Sequence, residues 1–163
     1  MRNNTGFSPS IKEQKFNLKR KMSFVQIWIH AVWGTKNREP VLSKTVHDQI
    51  CQHIRDNALL KDINIDSING HNDHLHCLMQ LNSEMSISKQ MQLIKGESSF
   101  WINKSKLIKG KFDWANEYFA ASVSEDKIET VRAYILNQQE HHKKITFQKE
   151  YESFLRHFGF MQG

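Results

Sequence analysis

The segment Met22–Trp33, MSFVQIWIHAVW, limits most strongly what this chain can fold into. It is apolar almost throughout and rich in β-branched and aromatic side chains. A strand made from it has no polar face to offer water, so it suits the middle of a sheet covered on both faces.

The elements that follow are read from their periods and end signals. Ser43 opens a helical pattern, as a plausible N-cap, with Val46, Ile50, Ile54, Ala58 and Leu59 at spacings near one helical turn. Residues 62–69 alternate as a second strand, and Gly70 to Asp73 is turn chemistry. His74 to Leu81 then pairs back as a third strand. Ser86 opens a second helix through about Asn103, and a Lys/Gly loop leads to a fourth strand over Tyr118–Val123, with Trp114 as an earlier possible start. Ser124, with Glu125 and Asp126 in the first turn, caps a helix expected to run to about Lys143. Thr146 caps a last helix ending near Gly159. Strand, helix, strand, strand, helix, strand is the split β-α-β order. The predicted fold class is α+β: a ferredoxin-like (RRM-like) antiparallel sheet with helices on one face plus extra C-terminal helices.

Length and charge divide the chain. Its 163 residues fit one compact domain over residues 22–163 behind a basic tail, residues 1–21. That tail carries Arg2, Lys12, Lys15, Lys19, Arg20 and Lys21 against Glu13 alone, and reads as flexible or as an extension ahead of a start at Met22. From Met22 onward acidic and basic residues nearly balance, so overall charge does not argue for nucleic acid. The local signal does: Lys89, Lys95, Lys104, Lys106, Lys109 and Lys111 surround Phe100 and Trp101 with only Glu97 to oppose them. Lysines interleaved with aromatics suit a phosphate backbone with stacked bases, and equally a solvated helix face. No apolar run reaches membrane-spanning length and no export signal is evident, so no membrane partner is expected. Cys51 and Cys77 are too few for a disulfide framework and read as buried thiols in a reducing cytoplasm.

Two constellations carry chemistry. On a strand, His74 and His76 point to the same face while Leu75 and Cys77 point to the other. Paired imidazoles make a two-point grip on a metal, although two incidental histidines on a polar face would read the same way. Tyr134 and Gln138 lie four apart on a helix and share a face beside the stripe of Ile128, Val131 and Ile135. Alone, Tyr134 reads as a rim tyrosine. Together the two sets are more informative. Two imidazoles and the Gln138 carbonyl oxygen can hold a divalent cation with open positions for a phosphate, and a tyrosine one turn away can attack that phosphorus. Asp73 orients a histidine or is simply a turn residue, the turn being favoured. Gln139 points away from Tyr134, His141 and His142 read as charge partners of a helix C-terminus, and His30 as a core or surface histidine.

These residues resemble a known family from about Met22 to Phe160. HLHCL, with Asp73 before it, is similar to the His-hydrophobic-His motif of the HUH single-strand transposases of bacterial insertion sequences, close to the REP-associated tyrosine transposases. VRAYILNQQEHH resembles their tyrosine helix, IKGESSFWIN their second helix and FDWANEYFAASVS their last strand. The resemblance implies Tyr134 as nucleophile, His74, His76 and Gln138 as ligands of Mg2+ or Mn2+, and a 5′-phosphotyrosine link to single-stranded DNA. It implies DNA with hairpin ends as partner and a homodimer with composite active sites, in a bacterial cytoplasm. With no carboxylate among those ligands, the site should hold its cation weakly until DNA adds phosphate oxygens. Two other readings stay open: a non-catalytic nucleic-acid module of the same fold, and a metal hydrolase without a covalent intermediate. A domesticated relative is indistinguishable from an active transposase by sequence.

Overall fold

The computed structural model describes residues 24–161, so the reading of residues 1–21 lies outside the described residues. Four strands form one antiparallel sheet: β1 (Trp28–Gly34), β2 (Ile65–Gly70), β3 (His74–Gln80) and β4 (Phe119–Val123), in the order β2-β3-β1-β4. The apolar segment is therefore central, as its composition requires. It is shorter than the sequence suggests, because its neighbours run out. Trp28 lies opposite Gln80 of β3 and Val123 of β4, the last residues of both. Among the described residues upstream, the Ile27 carbonyl accepts from Leu81 N–H, and Phe24 and Val25 stand exposed.

The two crossovers cover one face. Helix α1 (Lys44–Leu59) buries His47, Ile50, Cys51, Ile54 and Ala58, and leaves Leu59, expected on the same stripe, mostly exposed. Helix α2 (Ile87–Lys104) starts at Ser86, whose hydroxyl accepts from Lys89 N–H at 3.2 Å. It buries Met91, Ile94 and Ile102. These side chains meet Ala31 and Trp33 of β1 and Leu75, Cys77 and Met79 of β3 in the larger core. Each large aliphatic buried there contributes about 1.5–3 kcal/mol. Cys51 and Cys77 are both buried and free.

The C-terminal helices cover the other face. A 3-10 turn (Glu125–Lys127) leads into α3 (Ile128–Leu136), then a single turn α4 (Gln138–His141), then α5 (Phe147–His157). The one helix expected over 124–143 is thus interrupted at Asn137. The interruption has a tertiary cause: Asn69 of β2 donates its side-chain amide to the carbonyls of Ile135 and Leu136, both at 3.0 Å, and so satisfies acceptors that a continuing helix would use. Arg132 clamps α3 to β2 further back, through two bonds to the Asp66 carboxylate at 2.7 and 2.8 Å. Leu78, Ile128 and Ile135 form one small core on this face; Val32, Phe119 and Phe147 form another. The fold is the ferredoxin-like arrangement expected, with its second face roofed by the extra helices. Among the described residues no helix is long and apolar enough to cross a membrane.

Candidate active site

Alternation along β3 puts Leu75 and Cys77 into the larger core and turns His74 and His76 to the opposite face. Both imidazoles are fully buried beneath α3–α5. Each has its Nδ1 engaged. The Asp73 carboxylate lies 2.7 Å from His74 Nδ1, so the residue read mainly as a turn residue also holds a histidine ring. His76 Nδ1 lies 3.0 Å from His30 Nε2, and the two rings stack. The Nε2 atoms of His74 and His76 are left facing the site. Burial lowers the pKa of all three histidines, His30 to about 4 and His76 well below the ordinary value, so they stand as neutral imidazoles, the form that binds a cation.

Helix α3 brings Tyr134 to this face. Ile128 and Ile135 are buried, and Tyr134, beside them, turns its ring edge-on to His76 with centroids 5.7 Å apart. Gln138, just past the break, is fully buried; its Oε1 lies 3.4 Å from His74 Nε2. The structure therefore brings together the two histidines, the tyrosine and the glutamine from a single chain. Gln139 turns elsewhere, donating to the Gly70 carbonyl at 3.0 Å.

Sequence reasoning missed the group at the centre. Glu150 of α5 is almost fully buried, with Oε2 3.3 Å from His76 Nε2, 3.7 Å from His74 Nε2 and 3.1 Å from His142 Nε2. Its Oε1 accepts from the Tyr134 hydroxyl. Burial, followed by the charge of Asp73, pushes the Glu150 carboxyl up to about 8. His142 is no solvent-facing charge partner of a helix end: its Nε2 lies 2.9 Å from Gln138 Oε1 and its Nδ1 2.8 Å from the Ile145 carbonyl. His141 Nε2 lies 3.2 Å from Glu150 Oε1. A signal for Glu150 existed: it stands on the apolar stripe Phe147, Tyr151, Phe154 of an amphipathic helix, where a carboxylate needs a partner. His74, His76, His142 and Glu150 each offer a ligand atom within 4.8 Å of the others. Three imidazoles and a carboxylate fit a divalent cation.

The basic segment lies elsewhere. Helix α2 packs on the Leu75/Cys77 face, across the sheet from the histidines. Lys89, Lys104 and Lys106 are exposed there, but Lys95 is half-buried and donates to the Asn116 carbonyl at 2.9 Å. Trp101 is stacked on His53 at 3.9 Å, which occupies one face of the indole, whereas Phe100 is exposed.

Comparison with known proteins agrees with this layout. The family model described as "Transposase IS200 like" matches residues 23–138. The chain belongs to the IS200-like transposase family, which puts its function in DNA transposition. No curated protein sequence matches it. Among solved structures, a protein from Deinococcus radiodurans assigned as a transposase superposes with a TM-score of 0.58 at 23% identity, covering 72% of this chain and 95% of that one. A REP-associated tyrosine transposase bound to a REP hairpin superposes with a TM-score of 0.55 at 15% identity, covering 77% of this chain and 74% of that one. At these identities the likeness is one of fold.

Proposed function

We propose that the protein cleaves and rejoins single-stranded DNA through a covalent link to Tyr134. The observation that carries this reading is the Tyr134 hydroxyl, set against the buried His74/His76 face and held by hydrogen bonding to Glu150. The phenol oxygen forms a bond to the phosphorus as the bond to the 3′-oxygen breaks. The phenol gives up its proton, the leaving oxygen takes one, and the phosphate stays on Tyr134 as a 5′-phosphotyrosine. A 3′-hydroxyl attacking that phosphate reverses the step. The bond energy is kept throughout, so no nucleotide triphosphate is consumed. His74, His76 and Gln138 would hold Mg2+ or Mn2+, which when bound draws charge from the phosphate oxygens. Asp73 keeps the His74 ring turned inward, and the cover of α3–α5 excludes water from the histidines.

The partner in this reading is single-stranded DNA with hairpin ends, the kind of ligand seen on the structurally similar REP-associated transposase. Lys89, Lys104 and Lys106 would meet phosphates on the side of the sheet remote from Tyr134, and Lys95 only after giving up the Asn116 carbonyl. A homodimer with composite sites belongs to the family reading. Here one chain supplies the histidines and the tyrosine, which favours chemistry completed within each copy. The two unpaired thiols suit a bacterial cytoplasm.

A denaturing-gel assay tests the proposal. Labelled single-stranded DNA carrying the flanking hairpin is incubated with protein and Mg2+ or Mn2+. The expected result is a covalent protein–DNA band that needs both metal and Tyr134, with Tyr134→Phe still binding DNA within about twofold. Cleavage that survives in Tyr134→Phe would make the protein a metal hydrolase. No adduct on well-bound DNA would make it a binding module.

A further inference from the structure

We propose that His142 and Glu150 are metal ligands which, with His74 and His76, hold a first-row divalent cation before any DNA is bound. The inference rests on the reading of His74 and His76 as metal ligands and adds two residues from beyond the segment that matches the family, which ends at residue 138.

Hydrogen-bond accounting leads to it. A neutral imidazole carries one N–H. The His74 proton belongs on Nδ1, because the Asp73 carboxylate 2.7 Å away only accepts. The His142 proton belongs on Nδ1 for the same reason, since the Ile145 carbonyl 2.8 Å away only accepts. Both Nε2 atoms are then bare lone pairs. They point at further lone pairs: Gln138 Oε1, at 3.4 Å from His74 and 2.9 Å from His142, and Glu150 Oε2, at 3.7 and 3.1 Å. His76 Nε2 reaches the same Glu150 oxygen at 3.3 Å. His30 takes up His76 Nδ1 on the far side of the ring.

So three imidazole nitrogens and one carboxyl oxygen, all in a nearly dry site, converge within 4.8 Å of one another. Electron pairs gathered in this way repel one another unless something positive lies between them, either a proton on the Glu150 carboxyl or a cation in its place. The nitrogen-rich set selects the class of ion. Mg2+ prefers oxygen ligands and its own waters, whereas imidazole suits Mn2+ and its later neighbours. A cation entering the site displaces the Glu150 proton to solvent, and the carboxylate so formed removes the need for a DNA phosphate to hold the ion. That revises the weak DNA-free site expected from two histidines and a glutamine alone.

The test is Mn2+ titration of the full-length, DNA-free protein, followed by the electron paramagnetic resonance signal of free Mn2+. Wild type is expected to bind one Mn2+ that excess Mg2+ displaces poorly. Glu150→Gln keeps the size of the side chain and an acceptor for Tyr134, so it should fold, as circular dichroism would check, and bind Mn2+ at least about tenfold more weakly. His142→Ala should weaken binding similarly, and Tyr134→Phe should not. Unchanged affinity in Glu150→Gln and His142→Ala, with loss in His76→Ala, overturns this inference and leaves the His74/His76 site standing. Affinity unchanged in His76→Ala as well overturns both. A wild type that takes up no Mn2+ without DNA overturns the inference alone, and the adduct assay then decides the reading beneath it.

Discussion

The Tyr134 hydroxyl donates to the Glu150 carboxylate of the same chain, sixteen residues further on. The proposed nucleophile and the histidines are thus brought together within one chain. Mixing Tyr134→Phe with His76→Ala protein should therefore not restore adduct formation, because neither chain holds a complete set. Recovery of a substantial fraction of wild-type adduct in the mixture would show instead that tyrosine helices are exchanged between subunits.

Gly70 closes the turn that aims His74. A Cβ at this position would lie 2.0 Å from the His74 carbonyl oxygen and 2.8 Å from Leu75 Cα, both backbone atoms that cannot move alone. Gly70→Ala is expected to cost about 3 kcal/mol, a fall in Tm of roughly 6–12 °C, and to weaken Mn2+ binding with it. A melting curve superimposable on wild type would contradict the close approach.

The Asp66–Arg132 clamp gives a pH signature. The Arg132 hydrogen bonds hold the Asp66 carboxyl below its ordinary value. A carboxylate favoured in the folded state stabilises above its unfolded pKa, and that contribution is lost as pH falls through its folded value. Asp66→Asn should therefore melt below wild type at pH 7, with the gap closing as pH drops through the carboxylate range. The pair is partly exposed, so the gap is small and shrinks with salt. A gap that widens in acid would be the wrong sign.

Replacing Lys89, Lys104 and Lys106 together by alanine should flatten the dependence of log K on log salt by about 2 for single-stranded contacts, at roughly 0.7 per phosphate. Because these lysines lie across the sheet from Tyr134, adduct formation on DNA that is still bound should persist. A slope equal to wild type would remove them from the DNA interface.

The strand-borne part of this molecule was legible because it obeys a local period. Alternation alone told which side of β3 His74 and His76 would take, and the order of segments told the fold. The break at Asn137 was not legible. Its cause, Asn69, is 66 residues from the Ile135 carbonyl it binds and adjoins it only once β2 is in place. His142 and Glu150 escaped for a like reason. His142 looked like a helix-end charge because its burial depends on α5 folding back over it, and Glu150 meets the histidines from 74 residues beyond His76. A period says which way a side chain points from its own element. It does not say which element will arrive opposite.

Every residue of the larger core lies at or before Ala120, whereas Tyr134, Gln138, His142 and Glu150 all follow it. In genetic terms, the two strand-borne histidines are encoded with the scaffold, whereas the residues that face them are encoded after it. A frameshift just downstream of codon 137 would leave the main core and α3 encoded yet remove the α4–α5 part of the roof over His74 and His76. The short stretch of DNA encoding residues 138–157 thus sets much of what the two histidines face.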